Sequence, residues 1–160
     1  MAGFDLTSHE NSGAREIAKG KFTHGSRMSF PSREALEQAT PEAVARYRAQ
    51  RICQLFGAGA AEKTAADLCC GIGMDAIALA GKFWKIYAID VDAKAIESAK
   101  ANAKIYGAQN IEFICADYRT IGLEKLGAGF VFADPSRRVA GRRVNALDET
   151  EPGTTGLIGH

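Results

Sequence analysis

The sequence predicts an α/β fold in which a parallel sheet, wound with helices, follows an N-terminal helical segment. Three observations predict it. From Lys63 onward, short apolar runs alternate with longer segments of helical periodicity, the pattern of parallel strands joined by crossover helices. A glycine-rich turn, Gly71 to Gly73, follows the first apolar run, and an aspartate stands at or just after the end of every predicted strand. The sheet is therefore expected to present a ligand-binding edge.

The first sixty residues divide into a flexible arm over 1–30, with one helical turn near 14–18, and a helical segment over 31–60. Ser32 is predicted to cap a helix that runs to about Gln38. Thr40 followed by Pro41 predicts a second helix, with the threonine as N-cap and the proline in the first position. The face of that helix expected to be buried carries these residues: Val44, Tyr47, Ile52 and Leu55.

The region 61–145 is predicted to hold the sheet, and 146–160 a tail. Four predicted strands cover 64–68, 85–89, 110–115 and 130–133. Helices are predicted over 75–80 and 93–106, with Gly107 ending the second one. The aromatic pair Phe83 and Trp84 is assigned to the core.

Composition excludes several functional classes. Twenty basic and nineteen acidic residues give a formal charge of +1, so no global field indicates nucleic acid. No run of eighteen apolar residues occurs, which argues against a membrane partner. The four cysteines show no Cys-x-x-Cys spacing and no accompanying histidines, so no metal site is predicted. Unpaired thiols favour a cytoplasmic location.

The acids at the strand ends discriminate between two cofactors. Gly71-Ile72-Gly73-Met74-Asp75-Ala76 fits the G-x-G-x-x-A pattern of dinucleotide sites, which is a weak signal when taken alone. A pyrophosphate would be repelled by Asp67 and Asp75, because two like charges about 4 Å apart cost roughly 4 kcal/mol at an effective dielectric of 20. S-adenosylmethionine carries an ammonium and a sulfonium, which the same acids attract. The sequence therefore predicts S-adenosylmethionine as cofactor.

The predicted cofactor contacts follow the strand ends. Asp90 is expected to accept hydrogen bonds from the ribose hydroxyls. Asp117 is expected to accept from the adenine amino group, with Tyr118 or Ile72 against the ring. The full set of cofactor-binding candidates is Asp67, Cys69, Gly71, Gly73, Asp90, Val91, Asp117 and Tyr118.

The motifs over 67–80, 86–107 and 111–117, with Asp134-Pro135, resemble the successive motifs of class I S-adenosylmethionine-dependent methyltransferases. Within that superfamily, the chain resembles the trimethylguanosine synthase group of RNA cap guanine-N2 methyltransferases and bacterial methyltransferases with a THUMP-like domain. The resemblance implies a Rossmann-like methyltransferase sheet truncated after strand 4. It also implies transfer to an amino group, with Asp134 and Pro135 as the catalytic residues.

An RNA base is the predicted acceptor, in tRNA or rRNA. Ser136, Arg137 and Arg138 are the substrate-binding candidates, and Arg142 and Arg143 extend the basic run. Ser136-Arg137 replaces the proline and aromatic residue of the amino-methylating pattern, so the base must be held differently. Two alternatives remain: a cofactor-binding fragment without activity, or methyl transfer to a protein or small molecule. The open edge of strand 4 predicts association into a homo-oligomer.

Overall fold

The computed structural model describes residues 12–135 together with Leu6 and the short segments 138–139 and 142–143. Four parallel strands form its central sheet: β1 (Thr64–Leu68), β2 (Lys85–Asp90), β3 (Ile111–Cys115) and β4 (Phe130–Ala133). Their order is β3-β2-β1-β4, so β1 lies inside the sheet and β4 at one edge. The predicted α/β fold with a parallel Rossmann-like sheet is confirmed.

The register of the sheet brings successive strand ends to one edge. Leu68 at the end of β1 pairs with Ile89 near the end of β2, and with Ala133 at the end of β4. Four of the five residues of β1 are fully buried, as expected for a strand covered on both faces. Residues that follow these strands must therefore converge on the same side of the molecule.

Two crossover helices cover the sheet: α4 (Met74–Ala80) and α5 (Ala93–Tyr106). Asp92 caps α5 by accepting a hydrogen bond from the backbone N–H of Lys94 at 2.8 Å. Gly107 ends the helix in the left-handed region at φ +70°, as predicted from its position. Small residues on the inner face of α5, Ala95, Ala99 and Ala103 among them, let the helix lie close to the core.

The described part of the N-terminal arm is packed, which corrects the prediction of a loosely ordered segment. A ten-residue helix, α1 (Ser12–Lys21), replaces the single turn expected near 14–18. The next residues bury Phe22 and Phe30 in the core. A Cβ at Gly25 would lie 2.1 Å from the Ala18 carbonyl oxygen, so only glycine allows this approach. The apolar positions are spaced too irregularly for a helical or strand period to reveal them.

Two further helices precede the sheet: α2 (Arg33–Gln38) and α3 (Glu42–Phe56). The cap predicted at Ser32 is confirmed, since its hydroxyl accepts from the Ala35 N–H at 3.1 Å. The cap predicted at Thr40 is wrong: Pro41 occupies the N-cap position, and no side chain caps the helix. Thr40 therefore does not determine where α3 begins.

The buried face of α3 also differs from the prediction. Tyr47 and Leu55 are 64% and 81% exposed, and Val44 is exposed as well. Ala45 and Ala49 are the buried apolar residues instead. Helix α3 packs closely on α4, and an interface this close selects alanines over large side chains.

Trp84 is another departure from the predicted core. Its side chain is 71% exposed, whereas its neighbour Phe83 is buried and stacks on Phe130 with ring centroids 5.9 Å apart. The two residues lie in the bend just before β2. Among the described residues, no helix is long and apolar enough to cross a membrane.

Candidate cofactor and acceptor site

The glycine loop after β1 has a fixed left-handed conformation. Cys69, Gly71 and Gly73 all have positive φ, of 61°, 54° and 84° respectively. The Cys70 N–H donates to the Ile89 carbonyl at 3.0 Å, which continues the ladder between β1 and β2 by one residue. A Cβ on Gly73 would lie 3.0 Å from the Cβ of Ala99, so the loop also lies tightly against α5.

Asp90 ties the glycine loop to the end of β2. Its Oδ2 accepts a hydrogen bond from the Gly71 N–H at 2.8 Å, and its Oδ1 accepts from the Asp92 N–H at 2.9 Å. Each carboxylate oxygen has a further lone pair, so the group can also accept from ligand hydroxyls. The structure thus brings together two predicted contacts that lie nineteen residues apart.

Asp67 lies beneath the loop and is 1% exposed. Its Oδ2 is one of two buried side-chain oxygens in the described residues that have no hydrogen-bond partner. Burial raises the pKa of this carboxyl well above its usual range, and the nearby carboxylate of Asp75 raises it further. The backbone N–H of Ala76 opposes the shift.

The pKa values of the two thiols in the glycine loop are also raised. Burial and the neighbouring Asp90 raise the pKa of Cys69 to about 12, and burial with Asp67 raises that of Cys70. Both thiols are therefore protonated near neutral pH, and neither is an activated nucleophile.

Beyond β3, Asp117 and Tyr118, the residues predicted to contact the adenine, border the cleft. Asp117 accepts from the backbone N–H of Arg119 at 2.9 Å and forms an ion pair with its guanidinium. These hydrogen bonds from Arg119 lower the pKa of Asp117. Tyr118 is buried, and its hydroxyl is the second buried oxygen without a hydrogen-bond partner. The residue also borders the cleft.

Asp134, directly after β4, is held by an arginine that sequence analysis missed. The Arg48 Nη1 of α3 donates to Asp134 Oδ2 at 3.0 Å and lies 3.4 Å from Asp75 Oδ1. The guanidinium also lies over the Phe132 ring, 5.7 Å from its centroid. Burial alone would lower the pKa of Arg48, but Asp75 and Asp134 outweigh it and raise the pKa.

These residues border one cleft of about 820 Å³, a size suited to a nucleoside-containing ligand. All the predicted cofactor contacts except Gly73 line it, as do Asp134 and Pro135. Gly73 instead forms the N-cap of α4. Residues of the N-terminal segment form another wall of the cleft, and sequence analysis did not assign them to it: Pro31, Ala35, Gln38, Ala39 and Thr40.

Asn102 is a second residue that sequence analysis missed. It is completely buried in α5 and bonds to both backbone groups of Ser29, accepting at 2.8 Å and donating at 3.0 Å. It also donates to the Ile72 carbonyl at 3.1 Å. One amide therefore joins the N-terminal segment, α5 and the glycine loop. A polar residue amid helical alanines is the available sequence signal, but its partners lie far away along the chain.

The remaining predicted contacts lie at the limit of the described structure. Ser136 and Arg137 fall outside the described residues. Backbone placement is available for β5 (Arg138–Val139) and β6 (Arg142–Arg143), which pair antiparallel with Arg138 opposite Arg143. In the described part of the chain, no cluster of His, Cys, Asp or Glu has the arrangement of a metal site.

The charge of the cleft discriminates between the two cofactors considered. Among the residues that line it, one is basic, Arg119, and the acids are Glu37, Asp67, Asp75, Asp90, Asp92, Asp117 and Asp134. Asp75 lies in the first turn of α4, where a pyrophosphate would have to bind. A cationic nucleoside fits this lining: Asp90 can accept from ribose hydroxyls, and the unpartnered oxygen of Asp67 can face a positive charge.

A family model described as a methyltransferase domain matches residues 65–148, which is more than half of the chain. The chain belongs to the methyltransferase-domain family. The family match confirms the predicted cofactor, S-adenosylmethionine. The charge of the cleft agrees with that cofactor. The finer resemblances to trimethylguanosine synthases and to THUMP-containing enzymes stay predictions.

Two curated relatives carry RNA methyltransferase names. An uncharacterized RNA methyltransferase of Gloeobacter violaceus is 30% identical over 106 residues, which cover 64% of this chain and 23% of the relative. The 23S rRNA (uracil(747)-C(5))-methyltransferase of Xenorhabdus nematophila is 35% identical over 79 residues, covering 49% and 21% respectively. The chain thus spans less than a quarter of the length of these relatives.

Solved structures support the fold. A candidate methyltransferase from Porphyromonas gingivalis W83 aligns with a TM-score of 0.70 at 21% identity, covering 93% of this chain and 37% of the other. The alignment includes the N-terminal helices as well as the sheet, because the sheet and its crossovers alone could not cover so much of the chain. The N-terminal helical segment is thus also present in the Porphyromonas gingivalis structure.

Proposed function

We propose that the chain is the cofactor-binding part of an RNA methyltransferase that acts on an amino group of an RNA base. The observation that carries the proposal is the position of Asp134-Pro135. Both residues line the same cleft as the cofactor contacts, and Arg48 holds the Asp134 carboxylate at its rim. A hydrogen-bond acceptor that borders the proposed cofactor cleft supports a role for Asp134 in orienting the target group.

The residues of the chain contribute binding and orientation. When bound, S-adenosylmethionine supplies an electrophilic methyl group. Asp90 holds the ribose, and Asp134 accepts a hydrogen bond from the target amine through the oxygen that does not bind Arg48. The Pro135 carbonyl is the second acceptor for that amine. Fixing the nucleophile in this way accelerates a displacement without a strong base, because the amine can lose its proton after transfer.

Two observations support RNA as the acceptor. The relatives described above carry RNA methyltransferase names, and the chain has a basic hairpin after Asp134. The backbone register pairs Arg138 with Arg143, and the sequence of this segment also contains Arg137 and Arg142. Arginine forms strong, frequently bidentate hydrogen bonds with phosphate oxygens.

Transfer of labelled methyl groups from S-adenosylmethionine to total RNA, with the full-length protein, tests the proposal. Digestion to nucleosides and mass spectrometry identify the product. We expect an N-methylated base and no incorporation with Asp134→Ala. Label recovered in protein or in a small molecule would contradict the RNA acceptor.

A second acceptor atom is favoured by one relative. The Xenorhabdus nematophila enzyme is named for carbon 5 of uracil rather than for an amino group. Recovery of 5-methyluridine in the same digest would assign that chemistry here and would remove the amino-group role of Asp134. The digest therefore decides between the two atoms directly.

Two further predictions belong to this proposal. Strand β4 lies at the edge of the described sheet, so association through it is proposed, and light scattering at high concentration tests it. The four cysteines form no disulfide among themselves, which supports a proposed cytoplasmic location. Localisation of a tagged full-length protein tests that.

A further inference from the structure

We propose that Asp67 is a neutral carboxylic acid in the free protein and releases its proton when the cationic cofactor enters the cleft. The inference rests on the proposed cofactor site and goes beyond it. It assigns Asp67 as a residue that selects the charge of the ligand. It also makes binding of the cofactor dependent on pH.

The first observation is the burial of this carboxyl group. Asp67 is 1% exposed, and its Oδ2 has no hydrogen-bond partner although the residue lines the cleft. Leaving a buried carboxylate oxygen without a donor is costly, and removing the charge by protonation relieves that cost. A protonated carboxyl also fits a position between β2 and β4, where Ala88 and Phe132 are its register partners.

The second observation is the set of charged groups around it. Asp75 faces Asp67 from α4, Asp134 from the end of β4, and Asp90 from the end of β2. All three disfavour a fourth negative charge at this place. The direction of the pKa of Asp67 agrees, since burial raises it first and these acids raise it further.

Of the remaining neighbours, the Ala76 backbone N–H acts against these acids, but it does not reverse the direction of the shift in the Asp67 pKa. The thiols of Cys69 and Cys70 are protonated near neutral pH and contribute no charge. Arg48 of α3 contacts two of these acids, and its guanidinium is engaged by Asp75 and Asp134. Among the described groups that act most strongly on Asp67, none is a cation that could serve as its counter-ion.

A cationic ligand supplies the missing counter-ion. In the free protein the proton is bound to the Asp67 carboxyl; on binding it passes to solvent, and a carboxylate faces the positive ligand. No other bond forms or breaks. A neutral nucleoside offers no such compensation, so it binds without proton release. The loop thereby distinguishes a ligand that carries an ammonium group from adenosine derivatives that lack one.

Isothermal titration calorimetry of the full-length protein tests the inference. S-adenosylhomocysteine, which retains the ammonium group, is titrated near pH 7 in buffers that differ in ionisation enthalpy. We expect about one proton released per ligand bound and an affinity that rises up to about tenfold per pH unit while Asp67 is neutral. Methylthioadenosine, which lacks the ammonium, is the neutral probe and should release none.

Two variants provide the controls. Asp67→Asn mimics the neutral acid, so it should fold, bind methylthioadenosine normally and release no proton with S-adenosylhomocysteine. Glu37→Gln changes a cleft acid that is not among the groups acting on Asp67 and should keep the release. Binding without proton release in the natural protein, or release that persists in Asp67→Asn, would overturn the inference.

A direct measurement on the free protein completes the test. Carboxyl carbon NMR, with the Asp67 signal assigned through Asp67→Asn, should show a protonated group near pH 7; an ionised signal would overturn the inference. Proton release without methylated RNA would contradict the proposed RNA acceptor and support the role of Asp67. Methylated RNA without proton release would support the RNA acceptor and contradict the role of Asp67.

Discussion

The two ends of the cleft are built in different ways. At the donor end, Asp67, the glycine loop and Asp90 follow two adjacent inner strands. Backbone N–H groups of the loop hold them together, donating to the Ile89 carbonyl and to the Asp90 carboxylate. At the acceptor end, Asp134 follows the edge strand β4, is 44% exposed, and is held by the Arg48 side chain. Backbone geometry fixes the donor end, whereas one ion pair positions the acceptor end.

This difference predicts which substitutions affect cofactor binding and which affect transfer. Changes that distort the glycine loop should abolish binding of the methyl donor, because positive φ angles and close packing against α5 constrain its backbone. Changes around Asp134 should leave donor binding nearly intact and lower the rate of transfer. Each test below measures donor affinity and methyl transfer separately.

Gly73→Val should have the largest effect. The residue has φ +84°, and a Cβ would lie 3.0 Å from that of Ala99, so the loop must shift. The left-handed conformation alone costs a β-branched residue about 2 kcal/mol, and we expect donor affinity to fall at least about a hundredfold by calorimetry. Gly71→Ala is the control: its Cβ would meet nothing within 4 Å, so only the conformational cost applies. Equal losses in both variants would contradict the packing argument.

Asp90→Ala should lower donor affinity by about a hundredfold, because it removes the carboxylate proposed to accept from two ribose hydroxyls at about 1.5 kcal/mol each. Asp92→Ala is the matched variant. It removes the cap of α5, which lowers stability by about 1 kcal/mol and should leave affinity unchanged. Unchanged affinity in Asp90→Ala would remove the ribose role.

Arg48→Met should separate the two ends of the cleft. It removes the ion pair with Asp134, so we expect methyl transfer to fall roughly tenfold and donor affinity to change less than about threefold. Arg46→Met is the control, since Arg46 lies in the same helix and pairs with Glu42 instead. A loss of donor affinity equal to the loss in transfer would contradict separate ends.

Glu42→Gln should have the smallest effect at the site and an effect on stability that depends on pH. Burial would raise the pKa of Glu42, but hydrogen bonds from the Thr23 N–H, the Tyr106 hydroxyl and Arg46 lower it to about 2. Because the folded pKa is depressed, the stabilisation is present above the unfolded value near 4.5 and is lost as pH falls towards 2.

Denaturant titrations measure the consequence. The free energy of unfolding of Glu42→Gln should be lower than that of the natural protein by about 2 kcal/mol at pH 7, and the difference should narrow on acidification. Glu37→Gln affects an exposed pair and should be nearly neutral at both pH values. A difference that is independent of pH would contradict the assigned hydrogen bonds.

The donor end could be predicted from sequence because its determinants are local. Strand β1, the glycine loop and Asp67 lie within ten residues, and strand periodicity places Asp90 at the end of β2. Alternation of strand and helix then fixes their spatial relation, because parallel strands end at the same edge of the sheet.

The N-terminal segment could not be predicted because its contacts are distant in sequence. Asn102 binds Ser29 across seventy-three residues, and Arg48 reaches Asp134 across eighty-six. On α3, large apolar residues suggested the wrong face, since close packing on α4 favours Ala45 and Ala49. Nothing in the local pattern distinguishes Arg48 from the exposed arginines of the same helix.

Calorimetry of the natural protein with S-adenosylmethionine and, separately, with NAD tests the central claim most directly. The acidic lining of the cleft attracts a cation and repels a pyrophosphate, so binding of S-adenosylmethionine without binding of NAD is expected. Preference for NAD would contradict the assignment of the cleft and every role derived from it.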